Sequence, residues 1–303
     1  MQIMSNKQIK GEKMIIHNKF NLPEGFVKSI SNIPHNKEGS LSATTLLNGV
    51  KNIILTQRHW DHIEKDVLDF YYMTFGSAFH SIMESGASSG AEVSVETMFE
   101  GINITGRIDL YDEVNGLIGD YKTVSTNKLK FKSFEDYEKQ GLIYAWILRR
   151  NGKKADHCKF HMFMKDWNTN EAKRDTSYPQ SPYYCYEFDV TDNKLIEIEH
   201  YIKEQVQLYK ENIQKSDDAI PRCSDKQIWR EPTTWAIFKK GTSARCIPGG
   251  RFENKSECDK KMLTLEDGKY EIKERKGECK KCMSYCDCKE FCSFYKELLR
   301  KGV

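Results

Sequence analysis

Asp109, Asp120 and Lys122 place two carboxylates and an amine on either side of an Asn115-Gly116 pair. Asn-Gly between alternating apolar residues is the strongest short-range hairpin signal. A two-residue turn centred there pairs Val114 with Leu117, Tyr111 with Asp120, and Asp109 with Lys122. Opposed residues share a face and side chains alternate with a period of two. All three charges therefore project from one side of the hairpin, and Tyr121 faces the other way. The plain structural account is a solvated face with cross-strand ion pairs, worth a few tenths of a kcal/mol to about 1. Ile108, Leu110, Leu117, Ile118 and Tyr121 count against it, because they make the hairpin apolar enough to be central.

Charges on a central strand pair need partners. Two carboxylates at this diagonal form a hard, oxygen-rich site suited to Mg²⁺ or Mn²⁺. Phosphodiester hydrolysis needs an activated water, a neutralised phosphoryl group and a stabilised leaving oxygen. General acid–base catalysis contributes only about 10²–10⁴-fold of the 10⁶ or more that enzymes deliver, so the metal carries most of the work. Lys122 is placed to orient or deprotonate the attacking water, or to stabilise developing negative charge.

The elements that must position these groups are legible in outline. Ser42 or Thr44 is a candidate cap for a helix over 46–49, with helices expected over 59–72 and 75–84 and a turn at 86–90. From residue 92 the pattern becomes short β-type runs at 93–99, 102–113 and 117–125. A helix over 134–150 ends at Asn151-Gly152. A strand at 158–165, a loop at 166–181, a strand at 183–190 and a long helix over 193–214 follow. That order implies an α/β fold with a central mixed sheet flanked by helices. Beyond 216, segments 233–239 and 244–246 are expected to pair as a hairpin, and 256–263 reads as helical. No internal repeat is visible.

Composition sets outer limits. The chain has 303 residues, 39% hydrophobic and 30% charged, with mean hydropathy −0.67, which is ordinary for a globular protein. No apolar run approaches the roughly 20 residues of a membrane span. Residues 1–13 lack the apolar stretch of a secretory signal, so the cytoplasm of a bacterial or phage-infected cell is the expected location. A net charge of +3, from 47 basic and 44 acidic residues, neither requires nor excludes nucleic acid. No G-x-x-x-x-G-K-[ST] phosphate loop is present, so intrinsic ATP use is not expected.

Gly106-Arg107-Ile108-Asp109 followed by Gly119-Asp120-Tyr121-Lys122 resembles motifs II and III of the PD-(D/E)XK nucleases, with Ile108 where the superfamily name implies proline. The likeness is closest to the RecB-like branch, which holds phage-type exonucleases and CRISPR adaptation nucleases. Phe75 to Glu84 resembles the branch's upstream helix, which implies His80 as a metal ligand beside Asp109 and Asp120, with Tyr121 as a further one. Glu84, one turn on, is placed to orient His80 or lie near the metal. Gln140-Gly141-Leu142-Ile143-Tyr144 matches the branch's Q-x-x-x-Y motif and puts both polar side chains on one helical face. Ser42 to Leu46, Arg58 to Asp66 and the tail from Cys223 through Trp229 and Arg275-Lys276-Gly277-Glu278 to Cys292 extend the resemblance over about residues 40–295.

The resemblance implies a restriction-endonuclease-like core over 41–215, a polar lead-in over 1–40 and an accessory hairpin, helix and cysteine segment over 216–303. Ten cysteines, five of them between Cys279 and Cys292, argue for metal in a reducing compartment. The branch implies a [4Fe–4S] cluster on Cys223, Cys282, Cys286 and Cys292, pinning the tail to the core. Zinc is the alternative occupant of four thiolates, and Cys279 or Cys288 could replace one of them. Cys158, Cys185, Cys246 and Cys258 are expected to pack as small hydrophobes.

The resemblance implies a metal-dependent exonuclease acting on DNA ends in phage-type recombination, replication or repair. Its expected partners are DNA and a single-strand annealing recombinase or helicase encoded elsewhere. A CRISPR-type prespacer-trimming nuclease is the second reading, which co-purification with integrase subunits would favour. A non-catalytic DNA-end binding module is the third, to be recognised by binding without turnover.

Overall fold

The computed structural model describes residues 14–301 except 31, 32, 34, 36, 87–90, 243 and 244. The chain divides into two compact units, Met1–Gln214 and Lys215–Val303.

The first unit is an α/β layer structure around a six-stranded mixed sheet. Its strands are β1 (Ser40–Ser42), β2 (Ala91–Phe99), β3 (Ile102–Asp112), β4 (Leu117–Val124), β5 (His157–Met164) and β6 (Tyr183–Asp189). The main helices are α1 (Val50–Arg58), α2 (Tyr71–Gly86), α3 (Glu135–Arg150) and α4 (Asp192–Asn212). β4 and β5 run parallel, whereas β2 with β3, β3 with β4 and β5 with β6 are antiparallel.

Period-two burial along β5 hides Cys158, Phe160, Met162 and Met164, with Cys158 and Phe160 under α3. Gly141 lets the helix come this close, since a Cβ there would stand 3.1 Å from Cys158 Sγ and from the Phe160 ring. The long apolar stretch Leu142–Leu148 of α3 is then buried between sheet and α4. α4 presents Ile198, Ile202, Val206 and Tyr209 at helical spacing. On the other sheet face, α2 lays Phe79 against Phe163, ring centroids 4.6 Å apart.

β3 is the organising strand. Between Ile102 and Leu110 it pairs with β2 along one edge. Along the other edge, residues 103–105 pair with β1 and residues 110–112 with β4. Gly106, Arg107, Ile108 and Asp109 lie in the gap between these partners, so the sheet forks there.

The second unit has its own three-stranded antiparallel sheet, with β7 (Thr234–Lys239) between β8 (Arg251–Phe252) and β9 (Tyr270–Arg275). Helices α5 (Lys255–Met262) and α6 (Ser293–Arg300) follow in chain order. Ile228, Cys279, Cys282, Tyr295 and Leu298 form a buried cluster, with Cys223 and Cys292 packed against it.

Several sequence expectations are corrected. The β3–β4 turn is a four-residue loop, because Asp112 Oδ1 accepts the Asn115 amide at 3.1 Å and stops the pairing at Asp112–Leu117. The segment expected as a helix over 59–72 instead holds the end of α1's connection, a short strand Glu64–Asp66 and two 3₁₀ turns. That strand pairs in parallel with Ile15–His17, and Glu24–Ser29 is helical, so the lead-in carries structure. Ser42 caps a helix over Ala43–Leu46 and not 46–49. β7 pairs with Arg251–Phe252 and Tyr270–Arg275, and the expected partner segment 244–246 lies partly outside the described residues. The expected turn at 86–90 also falls largely outside them. Among the described residues no helix is long and apolar enough to cross a membrane.

Candidate active site

The fork in the sheet creates the site. Asp109 is the first residue of β3 beyond the β4 ladder, and the register continues to place it opposite Asp120. The sequence expectation put Asp109 opposite Lys122. The true register differs by two residues, an even step, so all three charges still share a face. Asp109 Oδ2 accepts a hydrogen bond from the Tyr121 main-chain amide at 2.8 Å. His80 Nδ1, from α2, lies 3.3 Å from the same oxygen.

Asp120 is 2% exposed. Its Oδ1 accepts a hydrogen bond from Gln140 Nε2 at 3.0 Å, and Gln140 Nε2 also donates to Tyr144 Oη at 2.7 Å. Lys122 Nζ touches Asp120 Oδ2 at 2.6 Å, yet no donor is aligned for a hydrogen bond to that buried oxygen. His80, Asp109, Asp120, Lys122, Gln140 and Tyr144 thus line one cavity of about 240 Å³. A model of the PD-(D/E)XK nuclease superfamily matches residues 43–293.

The chain belongs to the PD-(D/E)XK nuclease superfamily. Among curated proteins none matches its sequence. Solved structures similar to it include two exonucleases. A phage-related exonuclease from Haemophilus somnus is 13% identical, covering 60% of this chain and 97% of its own, with TM-score 0.38. An alkaline exonuclease from Laribacter hongkongensis is 15% identical, covering 58% of this chain and 90% of its own, with TM-score 0.35.

The electrostatics of the candidate site follow from burial and pairing. The Asp109 hydrogen bond raises the His80 pKa against the opposing effect of burial. Burial works upward on Asp109, but His80 and the Tyr121 amide overcome it and hold the carboxyl below its ordinary value. Asp120 is pushed up to about 6 by burial, which Lys122 offsets only in part. A carboxylate whose charge is that costly, with one oxygen lacking an aligned donor, is fitted to a cation. His80, Glu84 and Asp109 also offer ligand atoms within 4.8 Å of one another. The donor set of carboxylates and one imidazole suits a divalent metal.

Tyr121 holds its amide on Asp109, while its ring packs edge-on to His80 with centroids 6.3 Å apart. Ser42, Thr44, Gly106 and Arg107 line the cavity too, although sequence reasoning gave them only a capping or motif position and no part in the site. The signal for Gly106 was its place in the Gly-Arg-Ile-Asp motif. A Cβ there would stand 2.8 Å from Tyr144 Cδ1, so the glycine makes room for the tyrosine.

In the second unit, Cys223, Cys279, Cys286 and Cys292 all act on the Cys282 thiol, which burial in the first place pushes up to about 12. Cys286 and Cys288 bring their sulfurs 3.7 Å apart. Cys223 belongs to this second unit, so a cluster on these residues would close a loop inside the unit and not tie it to the first.

Proposed function

We propose that this chain is a Mg²⁺- or Mn²⁺-dependent DNA exonuclease. The observation that carries the reading is the convergence of Asp109, Asp120, Lys122 and His80 on one cavity at the fork of the sheet. Asp109, Asp120 and His80 would hold the cation, with the Tyr121 carbonyl as a further ligand. When bound, the cation supplies charge neutralisation at the phosphoryl group and activation of water.

The chain's own residues divide the remaining work. The Tyr121 amide fixes the Asp109 carboxylate, and Gln140 fixes Asp120 Oδ1, leaving Oδ2 to face Lys122. Tyr144 is kept a neutral phenol by burial and anchors Gln140 through its oxygen. The Lys122 ammonium, beside Asp120, is placed to orient the attacking water and stabilise negative charge developing on the phosphoryl oxygens. Ser42, Thr44 and Arg107 are hydroxyl and guanidinium groups of the kind that grip phosphate oxygens.

A [4Fe–4S] cluster on Cys223, Cys282, Cys286 and Cys292 completes the reading, with zinc as the alternative occupant. It is supported by the grouping of cysteines around Cys282 and would stabilise the second unit.

The test is digestion of end-labelled linear DNA with Mg²⁺ or Mn²⁺. Release of nucleotides by the wild type and not by Asp120→Asn is the expected result. Equal behaviour of the two proteins overturns the catalytic assignment, and cleavage of closed circular DNA overturns the requirement for ends.

A further inference from the structure

The second unit carries an exposed aromatic pair that the nuclease chemistry does not use. Trp229 is 48% exposed and Tyr285 64% exposed, with ring centroids 5.3 Å apart. Lys281 Nζ lies 5.6 Å from the indole centroid. Indole and phenol rings ordinarily gain by burial, so two left in solvent side by side need a reason.

The backbone shows that the placement is enforced. Trp229 has φ +51°, a left-handed conformation that bulky residues rarely adopt and that gathers at ligand clamps. Three contacts hold the loop against the cysteine segment. The Lys281 amide donates to Ile228 O at 3.1 Å, the Glu231 amide donates to Glu278 O at 2.9 Å, and Arg230 bridges Cys279. A Cβ on Gly277 would fall 1.7 Å from Glu231 O, so only glycine lets the two segments meet. The indole is therefore held out on a stiff support.

The charge distribution names the partner. Residues 215–303 contain 21 Lys and Arg against 15 Asp and Glu, a net +6 in a chain whose whole net charge is +3. Residues 1–214 are therefore net negative, and the positive excess lies in the unit that carries the rings. Lys226, Arg230, Lys280 and Lys281 flank the aromatic pair in sequence, with Arg230 paired to Asp225 and Lys280 to Glu231. Stackable rings in a basic surround suit unpaired bases on an anionic backbone.

We propose that Trp229 and Tyr285 form a stacking platform for an unpaired base of single-stranded DNA. The choice of DNA over RNA rests on the nuclease reading above; the platform itself does not. A blunt duplex offers it little, because its bases are already stacked.

The experiment uses full-length Asp120→Asn protein in chelator-free buffer, where turnover is blocked and any metal cluster stays intact. Fluorescence anisotropy compares a labelled oligothymidylate, the same oligonucleotide with abasic sugars, and a blunt duplex of equal length. Trp229→Asn is the informative variant, since asparagine accepts the left-handed backbone and should leave the loop in place. It is expected to weaken oligothymidylate binding about 5- to 150-fold, with abasic and duplex binding unchanged and Tm equal or higher. Trp229→Phe should retain most of the affinity. Oligothymidylate binding that is absent in the parent, unchanged in Trp229→Asn, or lost equally on the abasic strand overturns the proposal. If wild-type protein fails to cleave DNA while the stacking pattern holds, the catalytic reading falls and the platform stands.

Discussion

The Tyr121 main-chain amide donates to Asp109 Oδ2 across the point where the β3–β4 ladder stops. A side chain therefore takes the place of a strand's carbonyl at the mouth of the fork. The substitution fixes one carboxylate relative to the strand that supplies the other. Position and charge are set by the same bond.

Asp120→Asn keeps the shape of a buried side chain and removes its charge. Because burial raises the Asp120 pKa to about 6, the neutral variant should unfold at an equal or higher temperature while cleavage is lost. Lys122→Ala should lower kcat by about 10²–10⁴-fold. Calorimetry beside a digestion assay checks both, and a large fall in Tm for Asp120→Asn would count against a strained, cation-ready carboxylate.

Gln140 touches Asp120 and Tyr144 and acts through Asp120. Gln140→Ala should cost about 10- to 100-fold in metal affinity or activity, read as a higher Mg²⁺ requirement in a metal titration. Tyr144→Phe, which leaves the donor on Asp120 in place, should cost less.

Gly106→Ala brings a methyl group within 2.8 Å of the Tyr144 ring. Both are set in packed surroundings, so overpacking of about 1–3 kcal/mol is expected. Thermal melts should show a lowered Tm, and Tyr144→Leu in the Gly106→Ala background should recover part of it.

His161 supplies a pH dependence outside the candidate cavity. Burial, with Lys159 adding to it, holds its pKa below the ordinary 6.5. The unfolded chain then binds the proton more readily than the folded one, so stability rises with pH across that window. It is lost as pH falls through 6.5 towards the lower folded value. Denaturant melts at a series of pH values should show a shallower acid loss in His161→Asn than in the wild type.

Cys282 lies at the centre of the cysteine group, and its thiol is pushed up to about 12 by burial and neighbouring sulfurs. Such thiols ionise only with a metal to receive them. Cys282→Ser should abolish bound iron or zinc and lower the unfolding temperature of the second unit. Elemental analysis and an absorption spectrum after anaerobic purification report the first, and limited proteolysis the second.

The sequence made the mixed sheet and the common face of Asp109, Asp120 and Lys122 legible because strand alternation is a local property. The register was not legible. Asn115-Gly116 signalled a tight turn, but Asp112 captured Asn115 and lengthened the loop, and only the even size of the shift preserved the face. His80 and Gln140 could be placed by motif alone, since nothing local says that α2 and α3 meet at one fork. The short strand Glu64–Asp66 was missed because its partner, Ile15–His17, is distant in sequence and both are brief. Gly106 needed Tyr144 in view before its lack of a side chain had a meaning.

None of the sixteen residues of α2 is buried, although that helix brings His80 to Asp109. Tyr72, Phe75 and Ile82 all stay exposed on it. If His80 is the ligand proposed above, so lightly anchored a helix would make metal affinity a product of two factors: the intrinsic strength of the donor set, and the fraction of molecules in which the helix is docked. Cation and helix would then stabilise each other reciprocally, and residues 71–86 would govern an affinity that can be tuned without touching a single ligand.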